Sequence, residues 1–83
     1  MIESIEEPIE VLARFERGRL VPFRFRWNHS VFRIAKVTSH WEDREGQHRR
    51  IHFAVLTDND DYFELRFHAG DFGWILSKAS IDA

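Results

Sequence analysis

The chain has no cysteine, two prolines, four glycines and one methionine. Without cysteine there is no disulfide staple, no thiol nucleophile and no Cys-ligated zinc. The lack also suits a reducing compartment. The opening residues, MIESIEEPIE, are acidic where a signal peptide is basic and then apolar. A cytoplasmic protein is the expectation. No apolar run approaches the roughly 18 residues of a membrane span, so no membrane partner is expected. The glycines are scattered and form no phosphate-cradling loop, and neither G-x-S-x-G nor H-E-x-x-H occurs. Ser30 beside His29 is adjacency in a turn rather than a triad. Catalysis therefore finds no recognisable constellation, and a small enzyme is the least favoured reading.

What is present is large side chains. Eight Phe, three Trp and one Tyr stand among 83 residues, of which 43% are hydrophobic and 31% charged. That balance belongs to a folded globular chain. A domain this short buries only about 60–65% of its unfolded surface, so bulky residues must fill its core. Repeats and linkers are absent. The expected organisation is a loose lead-in over residues 1–8, ending at Pro8, then one β domain over residues 9–83.

The apolar pattern is mostly period two, the signature of half-buried strands. Ile9, Val11, Ala13 and Phe15 alternate with polar or outward positions. A helix is the rival here, since Ile5, Ile9 and Leu12 share a helical face, but Pro8 before and Arg17-Gly18-Arg19 after favour a strand and hairpin turn. In the second strand Val21, Phe23, Phe25 and Trp27 are expected inside, with Arg24 and Arg26 outside. Pro22 cannot donate to a ladder and marks an edge, a strand start or a bulge. Asn28-His29 offers a two-residue turn. The third strand, Val31 to Trp41, changes parity midway, which points to a bulge near Ala35-Lys36. Residues 42–48 read as a solvated loop. Strands follow over Arg49 to Thr57, from Tyr62, and over Phe72 to Lys78, with turns at Asp58-Asn59-Asp60-Asp61 and Ala69-Gly70-Asp71. The fold class is all-β: an antiparallel meander of five to six strands curled into a small half-open or closed barrel.

Charge is segregated along the chain. Residues 1–13 carry four acids and no base; residues 14–50 carry ten bases and four acids; residues 51–83 carry two bases and six acids. The candidate binding residues come from the basic block: Arg24, Arg26 and Arg33 on neighbouring strands, Trp27 beside them, and Arg49 and Arg50 after the loop. Clustered guanidiniums attract carboxylate or phosphate. The plainer alternative is neutralisation by facing acids across the sheet. A sequence pI of about 6.2 lies well below that of a dedicated nucleic-acid domain. Trp27, Trp41, Trp74, Phe23, Phe25 and Phe67 could stack bases, although Phe23, Phe25, Phe63 and Phe67 are first of all core candidates.

No metal or other cofactor is expected. His48 and His52 would lie about 13 Å apart on a strand, and Asp58-Asn59-Asp60-Asp61 lacks the Gly and distal Glu of a calcium loop. A pair such as Glu64 and His68 has the chemistry for acid–base work but no pocket assigned to it.

Glu7-Pro8-Ile9-Glu10-Val11, Phe25-x-Trp27 followed by Phe32-x-Ile34, Trp41, Tyr62-Phe63-Glu64-Leu65 and Trp74-x-Leu76 occur in an order that resembles short bacterial all-β proteins grouped as a domain of unknown function. Asn28-His29 departs from the basic residue and Gly that tend to follow the tryptophan there. Related segments occur in the company of Y-family polymerase-like DNA-repair proteins. The resemblance implies a stand-alone β module with DNA transactions as context, and carries over no catalytic residue. The expected function is a non-catalytic binding or adaptor module. It would bind a protein partner or itself through a sheet edge and the basic strand face, with single-stranded nucleic acid as the alternative.

Overall fold

The computed structural model describes residues 1–80. It contains six strands: β1 (Ile2–Glu16), β2 (Arg19–Trp27), β3 (Ser30–Glu45), β4 (His48–Thr57), β5 (Tyr62–His68) and β6 (Gly73–Ser80). Each pairs antiparallel with the next, and β1 pairs with β6 to close the ring. The fold is therefore an all-β closed meander. No helix among the described residues is long and apolar enough to cross a membrane.

Turn chemistry explains the order. Arg17 and Gly18 have φ of 52° and 77°, and Asn28 and His29 have φ of 53° and 64°. Two successive positive φ values make the tight hairpin turns whose twist matches that of the strands. Gly18 meets that requirement without a Cβ penalty, and Asn28 and His29 sit where the sequence places their turn.

The ring is uneven because two long strands divide their pairing. Residues 2–9 of β1 pair with β6, and residues 10–16 pair with β2. Residues 30–33 of β3 pair with β2, and residues 34–45 pair with β4. The result is a small wall of β1 (10–16), β2 and β3 (30–33), joined to a larger wall that holds the remainder. Bulges lie in β3 at Ile34/Lys36, as the parity change predicts, and again at Val37/Ser39. Such insertions sharpen the bend that closure requires.

Three expectations are corrected. Residues 1–8 are no lead-in: β1 starts at Ile2 and pairs with β6, where Ile2 meets Ser80 and Glu7 meets Leu76. Residues 42–48 are no loop: β3 runs to Glu45 and β4 starts at His48, and Asp43 sits opposite Arg50. Cross-strand bonds from Arg49 to Glu42 and from Arg50 to Asp43 hold this exposed hairpin, although Arg44 sits opposite Arg49, and apolar periodicity cannot reveal it. The third concerns β2. Register shifts between Leu12, opposite Arg24, and Ala13, opposite Pro22, which leaves Phe23 as the extra residue of a bulge. Inward parity therefore changes: Leu20 and Pro22 turn in before the bulge, and Phe25 and Trp27 after it. Phe23 is 37% exposed and is not core. Residues 81–83, the end of the expected domain, lie outside the described residues.

The core joins both walls. Phe25, Phe53, Val55, Phe63, Leu65, Leu76 and Ala79 are buried, with Trp27, Phe32, Ile34 and Trp74 packed around them. Phe25 stacks on Phe32 at 5.0 Å between ring centroids and meets Phe63 edge-on at 5.1 Å. Each such side chain contributes about 1.5–3 kcal/mol by burial. Phe67 is half-buried against Trp74 and Phe72.

Candidate functional site

The outer face of the small wall is the basic surface. Residues 10–33 carry six arginines and two glutamates, a net of +4 within a chain of net −2. Register follows directly from the Asn28-His29 turn: Trp27 lies opposite Ser30, Arg26 opposite Val31 and Arg24 opposite Arg33. Across the other flank of β2, Leu12 faces Arg24 and Glu10 faces Arg26. A shallow groove of about 460 Å³ runs here, lined by Leu12, Arg24, Arg26, Val31 and Glu10 among others. Leu12 and Val31 are 53% and 56% exposed, so the groove presents apolar surface between guanidiniums.

Arg24 and Arg33 form no ion pair among the described residues. The Arg24 Nε is buried and has no hydrogen-bond partner. Like charges directly opposite on a sheet repel, and a buried donor without an acceptor costs free energy. Arg26 differs, since Glu10 lies 3.5 Å away, but both side chains are largely exposed and that pair is weak. Arg14 lies over the displaced Phe23 ring at 5.8 Å and also bonds Glu16.

The other candidates lie elsewhere. Trp27 turns inward, packs near Phe32 and Phe63, and its indole N–H donates to Glu7 Oε1 at 3.0 Å. Arg49 donates twice to Glu42, at 3.1 and 2.5 Å. Arg50 donates twice to Asp43, at 2.7 and 2.6 Å, with Glu45 at 3.9 Å. These two arginines hold the β3–β4 hairpin and are already neutralised. The bonds from Arg50, and then His52, hold the Asp43 carboxyl far below the usual carboxylate range. Glu6 is lowered likewise by its paired bonds from Arg66. The structure thus brings together Arg24, Arg26 and Arg33, and separates Trp27, Arg49 and Arg50 from them. Sequence reasoning missed Leu12, Glu10 and Val31 as companions of the arginines, because their place depends on the β1–β2 register.

The remaining chemistry-bearing groups are engaged structurally. Trp41 stacks on His52 at 5.2 Å, and His52 Nε2 lies 3.1 Å from Asp43. Glu64 accepts from the Tyr62 hydroxyl at 2.7 Å, while His68 faces Glu45 at 3.1 Å. The aromatic rings do not form one stacking platform: Phe25 is buried, Trp27 points in, and Trp41 lies on the larger wall. Among the described residues no group of three or more His, Asp or Glu is arranged to hold a metal ion. The site is thus a solvent-facing basic groove on a closed six-stranded barrel. No family model, curated protein or solved structure matches the chain.

Proposed function

We propose that the protein is a non-catalytic binding module that docks an extended acidic segment of a partner protein across the outer face of the small wall. One observation carries this reading: Arg24 and Arg33 stand opposite each other without a carboxylate, while Arg49, Arg50 and Arg66 on the larger wall are each held by one. The cross-strand repulsion costs roughly 0.2–1 kcal/mol, and a partner carboxylate seated between the two guanidiniums relieves it. It also offers an acceptor to the Arg24 Nε. Leu12 and Val31 suit a segment that alternates acidic and apolar side chains. Single-stranded nucleic acid offers phosphates to the same arginines but needs exposed rings for its bases. The inward turn of Trp27 favours a protein ligand.

Fluorescence anisotropy tests the reading, using a short labelled peptide of alternating glutamate and leucine and a labelled oligothymidylate, each at low and raised salt. The peptide should bind at low salt and weaken as salt rises. Arg24→Gln and Arg33→Gln should each remove most of that binding, whereas Arg49→Gln should leave it unchanged. Absence of peptide binding at low salt sinks the proposal, as does tight oligothymidylate binding that outcompetes the peptide.

A further inference from the structure

Because β1, β2 and β3 divide their pairing, several stretches of strand keep an unpaired edge among the described residues; residues 2–9 of β1 and 19–23 of β2 are interrupted by a bulge or by Pro22, which leaves two to weigh. Pairing of β1 with β6 ends at Ile9, so residues 10–16 have β2 on one side and nothing on the other. Residues 34–45 of β3 have β4 on one side only. An open row of backbone donors and acceptors is a template for another strand unless something blunts it. The β3 edge is blunted. Two bulges twist it, and Arg19 reaches across from β2 to His40 at 3.1 Å. The β1 edge from Glu10 to Glu16 carries no bulge on its open side and no crossing side chain. It also bears Phe15 at its far end, 79% exposed.

Charge decides what fits there. In an antiparallel pairing of two copies about a two-fold axis normal to the sheet, directly opposite residues share a face. An axis through Ala13 would set Glu10 against the partner's Glu16, and an axis through Arg14 would set that arginine against its own copy. An axis through Leu12 sets Glu10 against Arg14 twice, flanking a Leu12–Leu12 contact, with Val11 against Ala13 on the inner side. Glu10 and Arg14 are exposed; Arg26 and Glu16 hold them only in solvent-exposed pairs, and Arg14 also lies over the partly exposed Phe23 ring. The ladder spans residues 10–14 and so begins where β6 releases β1.

We infer that this edge is a homodimer interface: two copies join β1 to β1 through residues 10–14, centred on Leu12. The dimer extends the three-stranded small wall into a continuous six-stranded one and brings two basic grooves side by side, because Glu10 and Leu12 also line the groove. The interface needs no ligand in the groove and stands independently of the peptide-binding proposal.

The experiment exploits charge complementation in trans. Glu10→Arg places two arginines against two arginines in its own homodimer, and Arg14→Glu places glutamates against glutamates. Each variant alone should dimerise about tenfold more weakly than the natural chain, as expected when two cross-strand pairs change from attractive to repulsive. An equimolar mixture restores both pairs and should recover the dimer in size-exclusion chromatography with light scattering. Because the chain has no cysteine, Leu12→Cys should form a disulfide-linked dimer on mild oxidation. Val31→Cys, equally exposed but remote from this edge, should not. A natural chain that stays monomeric at high concentration overturns the inference. So does a mixture that fails to recover the dimer, or equal cross-linking at positions 12 and 31.

Discussion

On the larger wall Arg50 is held by two oxygens of Asp43 and Arg66 by two oxygens of Glu6, whereas on the small wall Arg24 meets only Arg33. Both walls are built from the same kind of strand and share the core around Phe25 and Phe63. Apart from Arg44, which faces Arg49 and bonds only the Gln47 carbonyl, and Arg26, which lies beside Glu10, the arginines of the two walls therefore serve different ends. Paired guanidiniums reinforce a register that the backbone already sets, each adding little where solvent screens it. An unpaired, facing couple opposes the fold slightly and is balanced only by something from outside. The bulge at Phe23 deepens the contrast, because it frees an aromatic ring and reverses the inward parity of β2.

The contrast holds only if both walls belong to one cooperative unit. Phe25→Ala is the severest test of that: it removes a ring that is 1% exposed and that links β2 to β3 and β5. Urea unfolding should show a loss of about 3–5 kcal/mol. A much smaller loss, or separate transitions for the two walls, would break the picture of a shared core.

Next in size is a gain. Arg33→Glu converts the facing like charges into an ion pair with Arg24, and should stabilise the fold by about 0.2–1 kcal/mol in low salt. The same variant should lose acidic-peptide binding. Such an exchange of stability for function is expected at a site held ready for a partner. An Arg33→Glu protein that is less stable than its parent would place a carboxylate near these arginines and remove the contrast.

The smallest effect belongs to the paired wall. Asp43 has its carboxyl held below the ordinary value of 3.8, first by the Arg50 hydrogen bond and then by His52. A carboxyl depressed in the folded state stabilises it above that ordinary value, and the contribution fades as pH falls through the folded value. Comparing thermal unfolding of the natural chain and Asp43→Asn across acid pH should show a difference that is full above about pH 4 and shrinks below it. A difference that stays constant with pH would mean that the Arg50–Asp43 pair acts through packing instead of charge.

Much of this was legible in the residues. Asn28-His29 dictates the β2–β3 hairpin, and the hairpin dictates that Arg24 faces Arg33. The parity change in β3 predicts its bulge at Ala35, and Pro22 allows a bulge in β2 among its readings. Period two places Phe23 inside because the alternation of the sequence carries no mark of the bulge that the ladder introduces. The pairing of Arg49 and Arg50 stays hidden because Glu42 and Asp43 sit in a polar stretch with no apolar alternation to mark it as strand. The available signal is Gly46-Gln47 as a two-residue turn, with acids at 42 and 43 before it and bases at 49 and 50 after it.

By itself the sequence determined the meander: apolar alternation, turn residues and the density of aromatic rings are local properties, and short turns leave antiparallel neighbours as the natural outcome. It also set the charge of each segment. Tertiary structure alone decided which charges are quenched, where the ring closes and which strand edges stay open. Those depend on distances between residues far apart in the chain, such as Glu6 and Arg66, and on β1 dividing itself between two neighbours. Salt screens exposed charges beyond about 8–10 Å, so only the folded register converts a list of charges into a surface.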